Sequence, residues 1–256
     1  KRGVDQGIAQ QHCLLVAHQF ADGLFCVAEP MRILLLSRFS VGSFRPRGRK
    51  SYRLGQAGKC RGLRGRRLAK RPGLQGPIDD AFMDRFVMVK PTGRANSEAI
   101  GKWTEAQLGQ ALSDWELQFR AKPRVVDDID LTRDDIENSN LILWGDAGSN
   151  LLIERIIDQL PLNWTSDTLA LGQAEAGAVT HAPVLIFPNP LNPNRYVVLN
   201  SGFTFSRFGH MSNATQTPKL PDWALVDITK PYNPGDPDCI AAAGFFNERW
   251  QPKTVD

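Results

Sequence analysis

From residue 76 onward, apolar and polar positions fall into blocks that predict alternating strands and helices. Arg85–Val89, "RFVMV", reads as a buried strand broken by "KPTG" at 90–93. Glu98–Phe119 brings Ile100, Trp103, Ala111, Leu112, Trp115 and Phe119 near one face at helical spacing. Asn96 or Ser97 can cap its start, and Pro123 bounds its end. The acidic stretch 125–140 predicts a loop with short structure. Leu141–Trp144, "LILW", is the next strand, and Leu151–Leu160, "LLIERIIDQL", is the next helix, closed by Pro161. Val184–Phe187 and Arg195–Leu199 predict two strands joined by "PNPLNPN", a strong turn signal. Trp223–Ile228 predicts a further strand, and Cys239–Phe246 either a last strand or a short helix.

Strand, helix, strand, helix and then mostly strands is the order of a parallel sheet with helices on its faces, extended by antiparallel pairs. The expected fold is α/β: a three-layer, flavodoxin-like mixed sheet with a parallel core and an antiparallel hairpin. It occupies residues 76–256, within the usual range for one domain.

Charge changes the picture at the N-terminal side. Residues 1–75 carry 16 Lys/Arg against three acids, whereas 76–256 carry 15 against 24, so the net charge of +4 hides two unlike parts. The first part is a basic arm, densest at "KCRGLRGRRLAKR", with no helical or alternating period. Clustered Arg and Lys suit a nucleic-acid arm, and an Arg-rich, acid-poor segment also suits a transit peptide. The Arg/Gly/Leu-rich composition favours instead a disordered segment or GC-rich DNA read out of frame. Nucleic acid is therefore not the expected partner. No apolar run approaches a membrane span, and the opening Lys1-Arg2 is not followed by the apolar core of a secretory signal. The four Cys show no CxxC or Cys/His zinc spacing, so neither a structural metal nor a disulfide framework is expected, and no cofactor motif is present.

Candidate chemistry concentrates in "ILWGDAGSN", Ile142–Asn150. A strand passing through a glycine turn into a helix is a frequent place for a phosphate or a nucleophile. Gly145, Asp146, Gly148, Ser149 and Asn150 are the candidate ligand-lining residues. Neither GxxxxGK[ST] nor GxGxxG is present, and Asp146 adds a negative charge where an anion would sit. Ala147 occupies the position at which a Gly-Asp-Ser motif holds its serine, and GxSxG occurs nowhere. The simpler reading is that Ser149 or Asn150 caps the following helix. His181, Asn200 and Ser201 form a second candidate group near predicted strand ends, together with Asn189, Asn192 and Asn194, whose turn chemistry is the better explanation. Asp128–Thr132, "DIDLT", has the DxDxT form of a phosphatase nucleophile loop but lacks a long preceding strand, so a solvated acidic loop is expected.

The stretches "GPIDDAFMDRFVMVKPTG", "SNLILWGDAGSN", "APVLIFPNPLNPNRYVVLNSGFTF" and "LPDWALVDI" resemble the C-terminal region of bacterial prolyl-oligopeptidase-type and related α/β-hydrolase serine enzymes. The resemblance covers residues 76–256 and not the basic arm. It implies a parent that hydrolyses peptides or esters, with the GxSxG serine upstream of this region, so no catalytic residue carries over. The expected function is a non-catalytic accessory domain whose partner is a catalytic α/β-hydrolase domain. The alternatives are a small-ligand or anion-binding module using the Gly145–Asn150 turn, or nucleic-acid binding through the arm.

Overall fold

The computed structural model describes residues 68–205, 218–232 and 237–253. The basic arm before Leu68, and with it the disordered, transit-peptide and nucleic-acid readings, lies outside the described residues. Residues 68–75, assigned to the arm by composition, belong to the fold. Leu74 is buried, the Lys70 amide donates to Glu248 O at 2.8 Å, and Lys70 Nζ meets the buried Asp222 carboxylate at 2.5 Å.

The main sheet has seven strands. In chain order they are β1 (Phe86–Lys90), β2 (Val125–Asp127), β3 (Asn140–Leu143), β7 (His181–Asn189), β8 (Asn192–Leu199), β9 (Trp223–Asp227) and β10 (Ile240–Gly244). Their spatial order is β10-β9-β7-β8-β3-β1-β2. β2, β1, β3 and β8 are mutually parallel, whereas β7 is antiparallel to β8 and β9, and β10 is antiparallel to β9. The fold is thus the expected mixed α/β sheet, with a parallel core that begins in the order 2-1-3 of flavodoxin-like sheets.

Helix α1 (Glu98–Phe119) carries the chain from β1 to β2, and α2 (Arg133–Asn138) carries it back past β1 to β3. Right-handed crossovers that move in opposite directions across the sheet place their helices on opposite faces. Register shows how the faces divide. Phe86, Met88, Asn140, Ile142 and Val198 share one face, on which Trp115 of α1 packs edge-on against Phe86 at 4.7 Å between ring centroids. Val87, Val89, Leu141, Leu143, Val197 and Leu199 share the other, and all six are fully buried. Burial on both faces explains why these strands read as continuous apolar runs rather than alternating ones.

Local signals set the helix bounds. Ser97 Oγ accepts from the Ile100 amide at 3.1 Å and starts α1, which ends on Arg120 in the left-handed conformation at φ 57°. The helix α3 (Leu151–Ile156) runs on as a 3-10 turn over Ile157–Gln159, as Pro161 requires. In the acidic stretch, Thr132 and Asp135 form a reciprocal capping box that starts α2. Asp135 is buried and also takes a forked bond from Arg124, so its carboxyl is held down to about 2, chiefly by the Arg124 guanidinium and then by Thr132.

Residues 162–177 form a separate antiparallel sheet that the hydrophobic pattern does not predict: β4 (Leu162–Trp164), β5 (Thr168–Leu171) and β6 (Ala174–Gly177), in that spatial order. Cys239–Phe246, left open between strand and helix, resolves as the edge strand β10.

Candidate functional site

The C-terminal ends of β1, β3 and β8 lie side by side in the sheet, and the turn 144–150 leaves from the central one. Gly145 is required there by its φ of 107°, and a Cβ at this position would lie 2.4 Å from Ser149 Oγ. A Cβ on Gly148 would likewise reach 2.4 Å from Asn96 Oδ1 and 2.9 Å from Arg94 O. The turn is therefore pressed against the loop between β1 and α1, and a bond from the Gly93 amide to Ser149 O at 2.8 Å joins the two.

Asp146 organises this contact. Its carboxylate is fully buried, with 0% exposure. Oδ1 accepts from the Gly148 amide at 3.1 Å, the Ser149 amide at 2.9 Å and Ser149 Oγ at 2.8 Å. Oδ2 accepts from the Asn96 amide at 2.8 Å, immediately before the start of α1. No Lys or Arg pairs with it among the described residues, so these four donors alone stabilise the charge. Hydrogen bonds to a charged acceptor are the strong kind.

The other sequence candidates in the turn are equally engaged. Ser149 Oγ accepts from the Asp146 amide at 2.9 Å while donating to its carboxylate. Asn150 caps α3 through Oδ1, which accepts from the amides of Leu152 and Ile153, and its Nδ2 donates to Trp144 O at 2.9 Å. Asn200, at the end of β8 with φ 51°, closes a reciprocal pair with Gly145: Oδ1 accepts from the Gly145 amide at 2.8 Å and Nδ2 donates to Gly145 O at 3.0 Å. Gly145, Asp146, Gly148, Ser149, Asn150 and Asn200 thus come together in one network, buried except at Gly148.

His181 and Ser201 stand apart from it. His181 opens β7, where Nδ1 lies 3.0 Å from Thr180 Oγ1 and 3.3 Å from Gly177 O, and it makes no bond to the turn. Ser201 Oγ donates to Gly202 O at 2.8 Å. Ser201, Asn200 and Trp144 border a void of about 20 Å³, room for a water rather than a ligand. Asn189 and Asn192 do turn chemistry, Asn189 Oδ1 accepting from the Leu191 amide at 2.9 Å and Asn192 Oδ1 from the Asn194 amide at 3.2 Å.

"DIDLT" departs from the expected solvated loop. Asp128 is buried, with Oδ1 accepting from Thr92 Oγ1 at 2.6 Å and Oδ2 from the Leu151 amide at 2.8 Å, the first residue of α3. Short β2 precedes it, but both oxygens are occupied in holding the β1–α1 loop to α3, and Asp130 is exposed rather than paired with it. This arrangement is a brace, not a nucleophile with an acid/base partner.

Beside the network lies a cleft of about 200 Å³, bordered by Lys90 and Pro91 at the end of β1, by Thr104, Glu105 and Leu108 on α1, and by Ser149. It sits between β1 and the turn after β3, where the chain leaves β1 in one direction and later returns on its other side. Such switch points are the favoured ligand crevices of open α/β sheets. Thr104 is 3% exposed, and its hydroxyl has no hydrogen-bond partner. Sequence reasoning singled out none of Lys90, Thr104 or Glu105, and it placed Asp128 in a solvated loop rather than in a brace. Thr104 lies on the predicted buried face of α1, where a lone hydroxyl among apolar neighbours was the available signal.

The chain matches no protein-family model and no curated protein.

Proposed function

We propose that residues 68–253 form a non-catalytic accessory domain of a serine-hydrolase-type protein, packing on a catalytic α/β-hydrolase domain. The observation that carries this reading is that Ser149, the one serine in the strand–turn–helix, is committed to Asp146 on both its donor and acceptor sides and has no histidine bonded to it. An activated serine needs a neighbouring base with the oxygen free to attack. The resemblance of the chain to the C-terminal region of prolyl-oligopeptidase-type proteins supplies the class of partner.

An aromatic cluster that reaches the surface at Phe119 also supports a packing role. Phe82, Phe86, Trp115, Phe119, Phe203 and Phe205 form a continuous ring cluster. Phe119 is 43% exposed, and Leu117 and Met83 are more so.

The test is treatment of the purified chain with a fluorophosphonate probe and a panel of ester and peptide substrates. The expected result is neither adduct nor turnover. A stoichiometric adduct at Ser149, or turnover lost in Ser149→Ala, would overturn the reading. A separately expressed α/β-hydrolase domain of the prolyl-oligopeptidase type is expected to bind the chain and to bind Phe119→Glu more weakly.

A further inference from the structure

Asp79 is a second buried carboxylate, with fewer donors than Asp146. It lies in the 3-10 turn Ile78–Phe82 and is 3% exposed. Both of its bonds come from one residue: Oδ1 accepts from the Thr204 amide at 2.6 Å, and Oδ2 from Thr204 Oγ1 at 2.5 Å. Thr204 Oγ1 in turn accepts from the Lys219 amide at 2.7 Å. Thr204 and Lys219 are 15 residues apart in the chain. One carboxylate therefore fastens both the segment that leaves β8 and the segment that enters β9 to the turn before β1.

No cation compensates this charge. No Lys, Arg or His lies within ion-pair distance of Asp79 among the described residues. On its own turn, Asp80 is bonded by the Tyr196 hydroxyl. On the segment entering β9, Asp222 is paired with Lys70, and Lys219 meets Thr204 through its amide. On β8, Arg195 is paired with Asp84, and on β7 His181 is turned to Thr180 and Gly177. On α1, Asp114 borders the small void beside Thr204 and adds only negative charge. Burial disfavours the charged form, and the Thr204 bonds offset it only in part, so the Asp79 carboxyl is pushed up from the ordinary aspartate range. Protonation keeps the junction connected. Oδ1 still accepts from the Thr204 amide, and a proton on Oδ2 can donate to Thr204 Oγ1, whose two lone pairs also serve the Lys219 amide.

We infer that Asp79 is a pH-sensitive clamp that holds residues 203–205 and 219–220 to the turn before β1, more tightly when protonated than when ionised. An opening that hydrates Asp79 returns it toward the ordinary 3.8, so the closed form binds the proton more tightly than the open one. The clamp is therefore tightest below 3.8 and loosens as pH rises from there through the closed form's own midpoint. Neither Ser149 nor a catalytic partner enters this device, so it stands apart from the accessory-domain reading.

Amide exchange at Thr204 and Lys219 in the full chain, followed from about pH 4 to about pH 8 and corrected for intrinsic rates, tests it. The opening population at both amides is expected to rise severalfold with pH in the parent. It is expected to be level in Asp79→Asn, whose carboxamide keeps an acceptor for the Thr204 amide and a donor for Thr204 Oγ1. The NMR shift of the Asp79 carboxyl carbon reads the titration directly in the parent, whether or not the variant folds. A midpoint at or below 3.8 would overturn the inference. So would opening at Thr204 and Lys219 that is unchanged by pH, that keeps its slope in Asp79→Asn, or that is matched by the amides of the β3 core.

Discussion

The Gly145–Asn150 turn and the cleft beside it hold similar side chains in opposite states. In the turn, Asp146, Ser149, Asn150 and, from β8, Asn200 have their polar atoms bonded to one another and to nearby backbone. In the cleft, the Thr104 hydroxyl is unbonded and Lys90 and Glu105 are unpaired. Polar residues packed closely in sequence satisfy each other and become structure. Partners brought together by the fold can be as fully engaged, as Asn200 with Gly145 and Asp128 with Leu151 show, whereas Lys90 and Glu105 at the mouth of the cleft stay unpaired among the described residues. Density of motif-like residues is thus a poor guide to where chemistry is available, and bonding state is a better one.

Substitutions separate the two regions by their effect on stability. The largest loss is expected for Asp146→Ala. It removes the acceptor of the buried Ser149 amide and of the Gly148 and Asn96 amides, and is predicted to cost about 3–5 kcal/mol in urea unfolding. A loss under about 1 kcal/mol would mean that solvent reaches the turn and that the contrast with the cleft is false. Asn150→Ala removes the α3 cap and the bond to Trp144 O, and about 2–3 kcal/mol is expected from the same measurement.

The α2 start, outside both regions, provides a pH calibration of what a spent carboxylate contributes. Asp135 is held down to about 2 in the folded state, below the 3.8 of an unperturbed aspartate. A depressed carboxyl binds fewer protons folded than unfolded. Its contribution is therefore complete above pH 3.8 and is lost as pH falls from there toward 2. About 1–2 kcal/mol is expected, after discounting for the half-exposed Arg124. Acid titration of unfolding should show this slope in the parent chain and lose it in Asp135→Asn. The smallest effect is expected for Thr104→Val, within about 0.5 kcal/mol of the parent or slightly more stable, because it deletes a hydroxyl that bonds to nothing. A loss above about 1.5 kcal/mol there would show that Thr104 is bonded and that the cleft is as fully engaged as the turn.

Much of the main sheet was legible because its strands are buried on both faces. "RFVMV", "LILW", "VLIF" and "RYVVL" are apolar runs that only a covered sheet accommodates, and α1 was bounded by Ser97 and by its own 3.6-residue period. The small sheet over 162–177 was hidden because its strands are three or four residues long and one of them is "AEAG", which has little intrinsic preference for a strand. β10 was ambiguous for the same reason: "IAAAG" is a strand because it pairs with β9, not because alanine favours one. Within the turn, the cap was readable from Asn150 preceding an apolar run. The roles of Asn200 and Asp128 were not, since their partners lie 55 and 23 residues away in sequence.

Amide hydrogen exchange resolved residue by residue probes the engaged turn without altering it. If the turn is bonded as described, the amides of Asn96, Gly148 and Ser149 on the Asp146 carboxylate, and of Leu151 on Asp128, exchange only through global unfolding and share one protection free energy with the β3 core. Exchange of Gly148 and Ser149 at the rate of an exposed loop, while β3 stays protected, would contradict it.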